Sequence, residues 1–465
     1  MSWRSRSSTM LVTVLGVTVL SVVPAASTAT AVAPVAAVAA SAAAPAAAPA
    51  AAPAAAPAVA KAKAKAKKKP KRRWKPPRGA VFNNPKGSPK ARVAIVARIR
   101  DAIKHTRRGE TIRFASYSMD RADVADLLIR AHKRGVNVQM VFNDNTTSKT
   151  QARLQKALGK NRKKPSFLIY CKGSCRNGPG GNLHTKVYSF SRSGASKHVI
   201  ITSSANLTYG AAFAQWNDGY TIRNDRRLFR TWVRVFRQLI RDRKTTPRYI
   251  GYSSPTTSVS FQRELARSQG GTVEVRKAKT TSGDPVIQRL SKIGCAAPRG
   301  YGINGRTVVK IIVYAWYGER GDTIARKVAD LKRQGCDVRV IGSVLGASSQ
   351  GILQRAGIPV RAADWDFGDK PSTGNEDEIV YGPRCYSHYK FFTVSGAYDG
   401  KALRAVWTGS ENWSRISFGN DELTLRLNGK PVYSRYTARF DSMWKDPNAT
   451  HTAGIEPTRR PCARS

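Results

Sequence analysis

Residues 112–142 and 312–342 align at a constant offset of 200 without a gap, and this internal repeat constrains the fold more than any other feature of the sequence. The first copy reads IRFASYSMDRADVADLLIRAHKRGVNVQMVF and the second IVYAWYGERGDTIARKVADLKRQGCDVRVIG. Ala115 faces Ala315, Tyr117 faces Tyr317, Ala125 faces Ala325, Gly135 faces Gly335, and Val138 faces Val338. In each copy a β-rich run leads into apolar positions three and four apart (Val124, Leu127, Leu128; Ile324, Val328, Leu331), which predicts an amphipathic helix. Each helix stops at a glycine suited to a left-handed cap, and a second strand follows. Two strands joined by a helix pair in parallel, so an α/β fold with two like halves is expected.

Chemistry-bearing residues repeat as well. His184-Thr-Lys186-Val-Tyr-Ser-Phe-Ser191 is matched by His388-Tyr-Lys390-Phe-Phe-Thr-Val-Ser395. In an extended chain residues i and i+2 face one side, so each motif offers an imidazole and an ammonium together. Ser203-Ser204-Ala-Asn206 and Gly409-Ser410-Glu-Asn412 follow at nearly equal distances, then Asn217-Asp218 and Asn420-Asp421-Glu422. One His-x-Lys in a lysine-rich chain is weak evidence; two, each with a Ser-x-Asn partner at the same place in a repeat, form a strong signal.

Displacement at a phosphodiester needs a nucleophile, a proton donor for the leaving alcohol, and cations or donors around the phosphate oxygens. Histidine can do either of the first two jobs near neutral pH. Two lysines neutralise the non-bridging oxygens, and Ser and Asn side chains can donate to them. This set requires no metal, and neither H-E-x-x-H nor an Asp-rich cluster argues for one.

The paired His-x-Lys and Gly-Ser-x-Asn elements resemble the phospholipase D superfamily, the HKD family, over essentially the whole chain from about residue 80. The resemblance implies two α/β halves related by a pseudo-twofold axis, each a β-sheet flanked by helices, with one active site at their interface. It implies a covalent phosphohistidine, with His184 as nucleophile and His388 as general acid. Lys186, Lys390, Asn206 and Asn412 would hold the phosphate, Ser204 and Ser410 would bind substrate, and Asp218 and Glu422 would orient the histidines. No cofactor is implied. The family usually carries Asp five residues after the Lys; here both copies have Ser, Ser191 and Ser395.

The ends of the chain bear on where such an enzyme works. Arg4 and Arg6, an apolar stretch from Met10 to Val23, and Ala29-Thr30-Ala31 read as an export signal over residues 1–31. Residues 32–78 run from Ala/Pro-rich to Lys/Arg-rich and read as a disordered linker. Residues 79–250 and 251–465 then form the two halves. The six cysteines, Cys171, Cys175, Cys295, Cys336, Cys385 and Cys462, suit an exported, oxidised protein. Cys171–Cys175 is the favoured disulfide because Lys-Gly-Ser between them can turn tightly; a zinc site is the competing reading of CKGSC, without a second close Cys or His pair to complete four ligands.

Formal charge is +51, from 80 basic and 29 acidic residues. Setting aside eleven basic residues in 61–78, with Arg4 and Arg6, leaves 67 basic against 29 acidic, so the body itself stands at +38. Such a field concentrates anions of any kind. The first reading is a secreted, monomeric phospholipase D-like phosphodiesterase acting on phospholipid headgroup esters at a membrane surface. A metal-independent endonuclease is the alternative, since the basic surface and tail suit nucleic acid. A non-catalytic anion- or cell-surface-binding protein is the reading from another class. Gly300-Tyr-Gly302-Ile-Asn-Gly305 fits a dinucleotide fingerprint, but a strand rather than a helix is expected after it.

Overall fold

A computed structural model of the chain describes residues 74–178, 181–245, 250–263, 266–269, 272–275, 283–363 and 385–454. The export-signal reading, most of the linker and Cys462 lie outside them. The first half contains β1 (Gly79–Phe82), α1 (Pro89–Arg92), α2 (Ala94–Lys104), β2 (Thr111–Ser116), α3 (Ala122–Lys133) and β3 (Asn137–Asn143). It continues through α4 (Lys149–Leu158), β4 (Phe167–Cys171), β5 (Val187–Ser193), β6 (Ser196–Ser203) and α5 (Tyr209–Phe213). The short β7 (Gln215–Trp216), β8 (Asp218–Ile222) and α6 (Arg226–Leu239) end it.

The second half begins with β9 (Ile250–Ser253), β10 (Thr257–Arg263), β11 (Ala266–Gln269), β12 (Thr272–Val275), α7 (Pro285–Ser291) and β13 (Ile293–Gly294). Next come β14 (Val308–Trp316), α8 (Gly318–Arg333), β15 (Asp337–Leu345), α9 (Ala347–Arg355) and β16 (Val360–Ala362). Then follow β17 (Tyr386–Ser387), β18 (Lys390–Tyr398), β19 (Lys401–Gly409), β20 (Asp421–Asn428), α10 (Lys430–Lys445) and β21 (His451–Thr452).

The two large sheets share one strand order. From the parallel edge, the first runs β4-β3-β2-β5-β6-β8-β1, and the second runs β16-β15-β14-β18-β19-β20-β10, with β21 and β9 added at its edges. In both, the βαβ unit pairs in parallel, β2 with β3 and β14 with β15, as the repeat predicts. Val136 N donates to Ala131 O behind Gly135 (φ 83°), and Cys336 N to Leu331 O behind Gly335 (φ 93°). These are the left-handed glycine caps expected from the sequence.

The gapless offset does not hold through the first strand of the repeat. Val138 pairs with Ile112, but Val338 pairs with Val309, so the second copy is displaced by three residues there. The difference is absorbed where strand meets helix, because α8 starts at Gly318 and runs 16 residues against 12 for α3. The structural counterpart of Tyr117 is therefore Tyr314, not Tyr317.

The core lies in three layers. One apolar cluster packs α2, α3 and α4 against the outer face of the first sheet, and another packs α7, α8 and α9 against the second. A central cluster joins the halves, with Ala115, Val187 and Trp232 meeting Ile312, Phe391 and Tyr436. The faces of the two sheets thus bury each other's apolar side chains with α6 and α10. Packing begins ahead of β1, since Trp74 stacks on His105 at 4.0 Å. Disulfides link Cys171 to Cys175 and Cys295 to Cys336, so the CKGSC turn is closed by a disulfide. No described helix is long and apolar enough to cross a membrane.

Candidate active site

Each His-x-Lys motif lies at the entry to a central strand, His184 just before β5 and His388 just before β18, rather than inside it. A backbone ladder from the opposite half holds each entry in place. Tyr386–Ser387 of β17 pairs with Gln215–Trp216 of β7, and His388 N donates to Trp216 O at 2.9 Å. In the mirror position Leu183 bridges to Asp421, whose N donates to Asn182 O at 2.8 Å. The residue after each ladder then faces the opposite histidine. Glu422 Oε1 lies 2.8 Å from His184 Nδ1, and Asn217 Oδ1 lies 3.0 Å from His388 Nδ1.

This crossing sets the chemistry of both rings. With Nδ1–H donating to an oxygen, Nε2 is the lone-pair nitrogen of each neutral imidazole. The Asn217 amide cannot flip without loss, because its Nδ2 donates to Ala211 O at 3.1 Å and Gln215 Oε1 at 3.3 Å. Glu422 is fixed by the Ser410 hydroxyl and by Asn420 Nδ2 at 3.1 Å. Both histidines are buried. Burial, then Lys390, Lys186 and His184, holds the His388 imidazole well below its ordinary 6.5, while a hydrogen bond to the Ser204 backbone works the other way. Burial pushes the Glu422 carboxyl up to about 7, against Lys186, Ser410 and Asn420.

The two lysines are placed alike. Lys186 Nζ donates to His184 O at 2.6 Å and sits 5.6 Å from the Tyr117 ring; Lys390 Nζ donates to His388 O at 3.2 Å and sits 4.8 Å from the Tyr314 ring. Tyr117 also meets His184 edge-on at 5.7 Å, and Tyr314 lies 4.6 Å from His388. Sequence reasoning missed this pair of aromatic walls; allowing a gap in the repeat would have found it.

Asp218 is not where the sequence placed it. Neighbouring residues on an extended strand face opposite sides, so only one of Asn217 and Asp218 can reach a histidine. It is Asn217. The Asp218 carboxylate turns to the core and accepts from Thr408 Oγ1 at 2.6 Å and Tyr436 OH at 2.8 Å. Burial raises its pKa against those two hydrogen bonds, with Ser204 and Lys390 also lowering it. Textual similarity between Asn217-Asp218 and Asn420-Asp421 misleads by two residues, for Asn217 is the counterpart of Glu422.

Ser204 and Ser410 have hydroxyls that work behind the histidines. Ser204 Oγ donates to Asn217 Oδ1 at 3.1 Å and accepts from Asp218 N; Ser410 Oγ donates to Glu422 and accepts from Leu423 N. Asn206 and Asn412 are both buried. The Oδ1 and Nδ2 of Asn412 have no hydrogen-bond partner among the described residues, the state expected of an amide that waits for a polar ligand. Its neighbour Glu411 is locked by Arg289 and Arg320, each at 2.8 Å. Burial would raise the Glu411 carboxyl, but these arginines outweigh it and hold it at about 2.

The disulfide turn also serves this region. Ser174 Oγ donates to Asp421 Oδ2 at 3.0 Å, and Arg176 Nε to Asp421 Oδ1 at 2.7 Å in a buried ion pair. The Cys171–Cys175 loop thereby anchors the strand that carries Glu422. Ser191 and Ser395, in place of the family's Asp, lie apart from the histidines. Ser191 donates to Glu110 Oε2 at 2.6 Å, and Ser395 accepts from Gly302 N at 3.2 Å.

The family model described as "Cardiolipin synthase, PLD-like domain" matches the chain twice, over residues 99–240 and 303–444. No curated protein matches it in sequence. Among solved structures, phosphatidylserine synthase from Haemophilus influenzae is 12% identical with a TM-score of 0.49, covering 81% of this chain and 89% of its own. Polyphosphate kinase from Porphyromonas gingivalis is 13% identical with a TM-score of 0.48, over 82% of this chain and 53% of the kinase, so the chain spans about half the length of that protein. Nuc, a phospholipase D family member from Salmonella typhimurium, is 17% identical with a TM-score of 0.24 over 37% of this chain and 93% of its own.

Proposed function

Because the chain belongs to the phospholipase D-like domain family, we propose that it cleaves phosphodiesters at one composite site through a phosphohistidine on His184. The observation that carries this reading is the crossed pair of hydrogen bonds, His184 to Glu422 and His388 to Asn217. His184 Nε2 attacks phosphorus, the bond to the leaving oxygen breaks, and His388 gives that oxygen its proton. A water then attacks phosphorus as His388 takes its proton, and the phosphorus–nitrogen bond breaks to free His184. The phosphoimidazolium is cationic, so the ring that benefits most from a carboxylate partner is the nucleophile; that is His184. An amide stabilises imidazolium less, which makes His388 the stronger acid. Lys186, Lys390, Asn206 and Asn412 would hold the phosphate oxygens, and Ser204 and Ser410 act as positioning residues.

The substrate we infer is a phospholipid headgroup ester, hydrolysed to phosphatidic acid by an exported enzyme. The lipid-synthase description of the family favours a lipid, and two disulfides are compatible with an oxidising compartment. A nuclease is the second reading, favoured by the +38 charge of residues 79–465. Purified protein assayed in chelator on phosphatidylcholine vesicles and on plasmid separates them. We expect headgroup release that is lost in His184→Ala. Nicking of plasmid that is lost in His184→Ala, with vesicles of every headgroup untouched, would establish the nuclease instead.

A further inference from the structure

Helix α6 carries a row of exposed charge that no ion pair among the described residues uses. Its inner side, Leu228, Phe229, Trp232, Val235, Phe236 and Leu239, is buried. On the outer side Arg226, Arg230, Arg234 and Arg237 are all exposed, at intervals of four, four and three. At about 100° per residue these four fall within an arc of roughly 80°, and the row is roughly 16 Å long. Exposed Arg241, Arg243 and Lys244 prolong it past the helix end. Arg162, Arg237, Ile240, Arg241 and Arg243 line a cleft of about 410 Å³ there.

Neither nearby carboxylate forms an ion pair with this row among the described residues. Asp225 spends its oxygens on Leu228 N at 2.8 Å and Tyr252 OH at 2.5 Å, and Asp242 accepts from Lys172 N at 3.2 Å. Among the described residues no ion pair involves Arg226, Arg230, Arg234, Arg237 or Arg241. Like charges instead face one another. Arg113 is brought down to about 10 by burial and then by Arg237, and the His198 imidazole is lowered by burial, Arg226, Lys197 and Arg230, with Asp225 working the other way. A linear anion laid along the row would relieve that repulsion, and guanidinium is the cation best shaped for phosphate.

We propose that this arginine ridge docks the phosphate backbone of duplex nucleic acid without reading its sequence. The proposal goes beyond the catalytic reading, since it holds whether or not the bound polymer is cleaved. Duplex nucleic acid fits because it presents phosphates in regular succession, about one per 3.4 Å of helix axis on each strand. A membrane surface fits poorly. A helix that inserts there needs apolar side chains beside its basic ones, and the apolar side of α6 is spent on the core. The exposed large apolar residues of the described chain are Tyr209, Phe213 and Ile303, none of them on α6.

Full-length protein with Arg226, Arg230, Arg234 and Arg237 changed to Gln tests this. Gln keeps the helix propensity of an exposed site, and circular dichroism with a melting curve checks the fold. The control changes four exposed cations elsewhere, Lys160, Arg299, Lys401 and Lys430, to Gln, giving the same net charge. Binding to a mixed-sequence DNA duplex is followed by fluorescence anisotropy across a salt series. The ridge variant should lose about 3.6 units from the log–log salt slope, at about 0.9 per phosphate contact, and bind at least tenfold more weakly at 0.1 M salt; the control should lose less than one unit. Equal losses in both variants, or none in either, overturns the proposal. So does ridge-dependent binding to vesicles of anionic phospholipid that matches or exceeds that to DNA.

Discussion

Asn217→Asp makes the two histidine environments alike, and its consequence follows from the geometry. The carboxamide oxygen stands 3.0 Å from His388 Nδ1, where a carboxylate oxygen would take its place. An opposite charge at such range raises an imidazole pKa by about 1–3 units, or about 1.4–4 kcal/mol in favour of imidazolium. In the native protein His388 lies well below 6.5. Its protonated, acid-competent fraction therefore falls as pH rises through that low value, and kcat/KM for a substrate with an alkoxide leaving group should decline from the acid side. Asn217→Asp should carry this alkaline limb upward by about 1–3 units. A p-nitrophenyl ester needs no protonation of its leaving group and should lack the limb in both proteins. The assay is kcat/KM from pH 4 to 9 on both esters. A limb that stays put in a folded variant, or one that moves equally for both esters, would refute the assignment of His388 as acid and Asn217 as its positioning residue.

Two further outcomes follow from the same site. His184→Ala and His388→Ala should each reduce turnover of an alkyl ester to background, and the double variant should be little worse, because the residues act as one unit; additive losses in kcat would argue for separate roles. Glu411 is held at about 2 by its arginines, against an ordinary 4.5. Because the folded value is the lower one, its stabilisation is fully present above 4.5, is lost as pH falls toward 2, and amounts to about 3 kcal/mol. Urea unfolding at pH 6, 4.5 and 3 should show a smaller acid loss in Glu411→Gln than in the native protein, and an equal loss would contradict it.

The sequence made some of this legible and hid the rest for physical reasons. His184, Lys186, His388 and Lys390 stand out because uncommon residue types recur at one place in a repeat, and the Gly135 and Gly335 caps stand out because only glycine takes that conformation cheaply. The partner of His388 was hidden because it comes from the other half, 171 residues away, and because an Asp stands beside the Asn that makes the contact. Which of two adjacent residues faces a ligand depends on strand phase, and phase is set by the pairing of β7 with β17, which no local pattern announces. The tyrosine walls were hidden by the three-residue slip between β2 and β14. Ser204 and Ser410 looked like phosphate donors because their type suits that task; their burial behind the histidines depends on the tertiary fold alone.

Trapping of the covalent intermediate decides whether His184 is the nucleophile. His388→Ala, given a radiolabelled phosphodiester whose leaving group needs no protonation, should form the adduct and be slow to release it. Label is then located by peptide mapping after denaturation in alkali, where a phosphohistidine survives, and its loss in acid is followed. One label per chain is expected on His184, stable to alkali and lost in acid. Label on His388 in a His184→Ala protein and never on His184, or turnover with no label on either histidine, would contradict it.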